Sequence, residues 1–200
     1  VMEYIRGVDL RTFIRKHGSR YIGIFLLQML EQLDKLHQAG WVFGDLKNDN
    51  IIVTLNPRTV RFVDVSGTTK MGRSIKEYTN FHDRAYWHLG KRVAEPSYDL
   101  FALVMVILAI YYPKTFQRTN HSRELIKRKM LQIAPLKPYY SCLLKAIDGK
   151  YRTAREMYDE LLKEVFIEKK EKRRPVKTYM LETALLLIPT ALFYVIYYLM

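Results

Sequence analysis

Between residues 21 and 39, Ile22, Phe25, Leu26, Met29, Leu30, Leu33 and Leu36 recur at steps of three and four until Gly40 interrupts them. That period predicts a long amphipathic helix with one buried face. Upstream, Asp9 precedes Leu10, Phe13 and Ile14, and Gly18 follows them, which reads as a short capped helix. The pattern changes at 51–55 and 60–65, two β-rich runs separated by Asn56-Pro57-Arg58-Thr59, and this is hairpin chemistry. From Leu100 to Tyr112 the chain is apolar on every side, with Asp99 before the run and Pro113 after it. The run is too short to span a bilayer, so it is expected to be the buried central helix of a globular body. Thr153 with Glu156 three residues on forms a capping box ahead of Met157, Leu161, Leu162 and Val165. The predicted class is mainly α, within α+β, with one short hairpin.

Residues 183–200 carry no charge and would form a helix about 27 Å long. Met180 and Leu181 extend the run, and Pro189 kinks such a helix without forbidding insertion. Before it stand Lys169, Lys170, Lys172, Arg173, Arg174 and Lys177, the flank that stays cytoplasmic and favours anionic lipid. The expected organisation is a globular body over 1–165, a basic juxtamembrane linker over 166–179, and one C-terminal transmembrane helix over 180–200. That places a single-pass protein in the cell membrane with its body in the cytoplasm.

With 49% hydrophobic residues over 200 positions, the chain can bury one core, and disorder is excluded on composition. The lone Cys142 excludes an internal disulfide framework. The net charge is +13, and much of the excess in the body falls in 58–92 and 114–137. A solvated basic face is the plainer reading; an acidic protein segment, anionic lipid or nucleic acid is the alternative. In its favour, Tyr78, Tyr86 and Trp87 interleave with Arg84, Lys91 and Arg92, although aromatic residues in such a stretch are more often core.

Gly44-Asp45-Leu46-Lys47-Asn48-Asp49-Asn50, followed fourteen residues later by Asp64, carries the chemistry. Phosphoryl transfer needs a carboxylate to orient the attacking hydroxyl, a cation near the moving phosphate, and hard oxygen ligands for Mg²⁺. Asp45 suits the first role, Lys47 the second, and Asn50 and Asp64 the third. As the plainer alternative, Asp45 and Asn50 could satisfy loop backbone and Lys47 could be a solvated charge. The loop, its flanks Leu36-His37-Gln38-Ala39-Gly40 and Ile51-Ile52-Val53, and the hairpin ending in an acid resemble the catalytic and metal-binding loops of protein kinases. Gly67-Thr68-Thr69-Lys70, Ile75-Lys76-Glu77-Tyr78-Thr79 and the run from Ala94 to Ala102 are similar to bacterial Hanks-type serine/threonine kinases. The resemblance covers about 1–165 and implies a kinase C-terminal lobe using ATP and Mg²⁺ on protein hydroxyls. It also implies that the backbone of Glu3 and Ile5 bonds the adenine edge, that Asp99 pins the catalytic-loop backbone with His37 as its partner, and that Glu95 and Arg152 form a buried ion pair.

The departures from that pattern are specific. Phe43-Gly44 stands where His-Arg is usual, so no arginine precedes Asp45 to read a loop phosphate. Asp64-Val65-Ser66 stands for Asp-Phe-Gly, keeping the ligand and shrinking the apolar plug behind it. The three residues between Glu95 and Asp99 imply a shortened substrate-docking segment. The sequence opens at the hinge, so the Gly-rich loop and phosphate-binding lysine are expected upstream and this chain is expected to be a piece; alone it should be inactive. Two further functions fit parts of the pattern: a small-molecule or lipid-sugar kinase of aminoglycoside-phosphotransferase type, from Gly44, and a pseudokinase scaffold, from Val65 and Ser66.

Overall fold

The computed structural model describes residues 3–163 and 197–198. The chain divides into two units, Val1–Leu162 and Lys163–Met200, and the fold below is that of the first. The expected linker over 166–179 and most of the expected transmembrane helix over 180–200 lie outside the described residues. Among the described residues, no helix is long and apolar enough to cross a membrane.

A short strand β1 (Gly7–Asp9) leads into helix α1 (Leu10–His17). Asp9 Oδ1 accepts from Thr12 N at 2.8 Å, the N-cap foreseen, and Gly18 ends the helix at φ 90° with its N–H on Ile14 O. Helix α2 (Ile22–Gln38) buries Phe25, Leu26, Met29, Leu30 and Leu33 as the period requires. After strand β2 (Trp41–Val42) come strands β3 (Ile51–Thr54) and β4 (Val60–Phe62), paired antiparallel with Ile51 opposite Phe62. Strand β1, which the alternation rule did not find at three residues, adds to the other edge of β3, giving the order β1-β3-β4. A Cβ on Gly7 would lie 2.5 Å from Val53 O, so this pairing requires glycine there. Helix α2 holds the hairpin by its glutamines: Gln28 Oε1 accepts from Val60 N and Gln32 Nε2 donates to Val60 O, both at 2.8 Å. Strand β5 (Thr69–Lys70) pairs with β2.

Helix α3 (Pro96–Tyr111) is the centre of the body, with every residue from Tyr98 to Ile110 buried. At about 1.5–3 kcal/mol for each large apolar side chain, this helix is a major source of the fold's stability. Helices α4 (Ser122–Leu131), α5 (Tyr140–Ile147) and α6 (Ala154–Leu161) complete the lobe. Thr153 caps α6 as expected, with Glu156 N donating to Thr153 Oγ1 at 3.1 Å, but Glu156 Oε2 reaches back past the cap residue and accepts from Arg152 N at 2.8 Å.

Candidate active site

The loop after β2 carries Phe43, Gly44 and Asp45 into the body, and α3 fixes it from below. Asp99, fully buried, accepts from Phe43 N at 2.8 Å, Gly44 N at 3.0 Å and His37 Nε2 at 2.9 Å. Three donors converge on one carboxylate, so the loop backbone is locked to two helices at once. Gly44 sits at φ 84°, and a Cβ there would meet Gly67 O at 2.6 Å, so the loop as folded demands glycine.

Asp45 is half-buried above this support. Lys47 Nζ donates to its Oδ2 at 2.5 Å and Thr79 Oγ1 to its Oδ1 at 3.0 Å. The Asp45 carboxylate is the chief cause that raises the Lys47 pKa, with Asp49 and Asp64 adding to it, so the lysine is held as a cation. Asn50, in a short 3₁₀ turn before β3, donates from Nδ2 to Asp45 O at 2.9 Å, so that its other amide atom, Oδ1, is the one available to act as a ligand. Asp64 lies at φ 55° beyond β4. Ser66 donates to its Oδ1 from Oγ at 2.7 Å and from N at 3.4 Å. These bonds, with the Lys47 charge behind them, hold the Asp64 carboxyl below its usual range. An ionised carboxylate and an amide oxygen are hard donors that fit Mg²⁺, which keeps water and substrate phosphates for its remaining positions.

Thr79 is not foreseen as a site residue, because its hydroxyl on Asp45 carries no signal that spacing could supply. Of the expected hinge residues, Glu3 is exposed and its side chain meets Arg61 at 3.1 Å, while Ile5 is half-buried.

Several expectations need correction. Glu95 pairs with Arg84, not with Arg152, which is exposed. Glu95 stands at the N-cap of α3, and Arg84 folds back from the preceding loop to reach it, Ser97 and the carbonyl of Lys91. The buried acid of this segment is Asp83, held by Arg92, Tyr98 and two backbone amides. Val65 is 67% exposed and plugs nothing among the described residues. Arg84 and Arg92 are neutralised by Glu95 and Asp83, so the basic surface of 58–92 is smaller than its composition implies. Trp87 is fully buried against Phe81 and Phe116, and is core.

The family model described as protein kinase domain matches residues 1–185. The chain belongs to the protein kinase family. Within it, the chain is 44% identical over 177 residues to the serine/threonine-protein kinase YabT of Bacillus subtilis, covering 88% of this chain and 52% of that protein. To the human myotonin-protein kinase it is 37% identical over 57 residues, covering 26% of this chain and 9% of that one. The kinase chain thus spans about half the length of the bacterial relative.

Proposed function

We propose that the protein is an ATP-dependent serine/threonine protein kinase. The observation that carries this reading is the convergence of Lys47 and Thr79 on Asp45, with Asn50 and Asp64 beside it. In this scheme Asp45 accepts a hydrogen bond from the acceptor hydroxyl and orients it, and Lys47 places its charge on the moving phosphoryl group. Asn50 Oδ1 and Asp64 would hold Mg²⁺, which would offset charge on the nucleotide's phosphates. The backbone of Glu3 and Ile5 bonds the adenine edge. An acceptor of aminoglycoside type draws support from Gly44 alone, whereas the Lys47 contact favours a protein acceptor.

The test is phosphotransfer from labelled ATP to a protein acceptor by the full-length protein. Asp45→Asn is expected to slow transfer on the order of a thousandfold while the thermal melt stays unchanged. Transfer at the parent rate would remove Asp45 from this role.

The reading extends to location: residues 180–200 anchor the kinase as a single pass with its body in the cytoplasm, and the basic run before them rests on anionic lipid. Deleting 183–200 should move the protein from the membrane pellet to the supernatant after alkaline carbonate extraction. An intact protein already in the supernatant would end that reading.

A further inference from the structure

A cavity of about 310 Å³ opens where α1 meets β1 and the hairpin turn, away from the residues assigned above. Val8, Phe13 and Leu55 make its apolar side, and Lys16, His17 and Arg58 its rim. Leu55 is 54% exposed, so it offers apolar surface at the mouth of the cavity.

The charge around this cavity has one sign. Lys16 and Arg58 on the rim, and Arg20 beside Tyr21, take part in no ion pair among the described residues. Arg58 donates to the phenol oxygen of Tyr21 at 2.6 Å and stands 5.4 Å from that ring's centroid; Arg20 stands 5.1 Å from the same centroid. Two guanidinium groups thus share one neutral ring. The acid nearest in sequence, Asp9, is engaged with the N-terminus of α1.

We propose that this cleft docks an acidic protein segment that inserts one large apolar side chain. The volume suits such a side chain with its flanking backbone. The unpaired cations would meet carboxylates on either side of it, and complementary charge steers encounter as well as fixing register. Nucleic acid fits the site less well: Phe13 is fully buried, and Tyr21 is occupied by the guanidinium groups and by Phe25, so no ring offers a free stacking face. A lipid surface needs no concave apolar floor. Bringing a protein acceptor to Asp45 is the use that rests on the proposed kinase activity; the binding itself does not.

The experiment follows binding without phosphotransfer. Full-length protein is titrated into a fluorescein-labelled, glutamate-rich decapeptide with a central leucine pair, and anisotropy is read across a salt series. Saturable binding is expected, weakened by salt and by replacing the leucines with serine. Leu55→Asp, and Lys16→Glu combined with Arg58→Glu, should each weaken it at least about tenfold. These side chains are at the surface, and circular dichroism melts confirm the folded state of each variant. Arg73→Glu with Lys76→Glu, on the other basic surface, should leave binding unchanged. No saturable binding, equal binding by the cleft variants, or cleft-dependent binding to phosphatidylglycerol vesicles in place of the peptide would overturn the proposal.

Discussion

Asp64 and Ser66 show how a substitution within a catalytic motif can be absorbed by local chemistry. Where the family has glycine, Ser66 offers a hydroxyl that grips Asp64 Oδ1 at 2.7 Å and lies 3.3 Å from Glu77 Oε2. The carboxylate proposed to hold Mg²⁺ is thereby oriented from its own loop, while Val65 beside it is exposed. Asp64→Asn removes the charge that the cation needs. It should therefore raise the Mg²⁺ concentration required for half-maximal phosphotransfer by at least about tenfold, read by titrating Mg²⁺ at fixed ATP. An unchanged midpoint would show that Asp64 does not hold the ion.

At the scale of elements, α3 acts as the post on which the catalytic loop hangs. Asp99→Ala would leave two buried amides, Phe43 N and Gly44 N, and the His37 ring without their acceptor. At about 1–3 kcal/mol per buried unsatisfied group, a loss on the order of 3 kcal/mol is expected in urea unfolding. Asp99→Asn should be milder, because one oxygen remains. This helix was legible in the sequence because its apolar run has no polar face, and α1, α2, the hairpin and the α6 cap were legible because period and cap residues coincide. Helices α4 and α5 were not assigned: α4 lies in the basic stretch 114–137, where Arg123, Lys127, Arg128 and Lys129 dilute its buried Leu125, Ile126 and Met130. Strand β1 is too short for alternation to register. In the site, the fixed spacing from Asp45 to Asn50 and Asp64 was readable. Thr79 on Asp45, and the exchange of Arg152 for Arg84 as the partner of Glu95, depend on how a loop folds back, which spacing does not encode.

For the molecule as a whole, His82 sets a limit at acid pH. Its ring is buried with neither nitrogen partnered, and burial pushes its pKa down to about 4, against a partial offset from the Asp45 charge. The unfolded chain therefore binds the proton first, near pH 6.5, and stability present above that pH is lost as pH falls toward 4. The full effect is roughly 3 kcal/mol. Glu95 and Asp148, held low by Arg84 and Arg123, add losses at still lower pH. His82→Leu should flatten the slope of urea midpoint against pH between about 6.5 and 4. A slope equal to the parent's would assign the acid sensitivity to the carboxylates instead.

The two donors on Asp45 also bear on the proposed site when no acceptor is seated. A carboxylate has about four lone-pair positions, and Lys47 and Thr79 each engage one oxygen. An arriving hydroxyl must use the directions that remain. A water molecule, unlike the hydroxyl of a docked chain, is not held in place by the rest of a bound substrate. If Asp45 orients the acceptor as proposed, ATP consumption without a docked acceptor should be slow beside transfer to one.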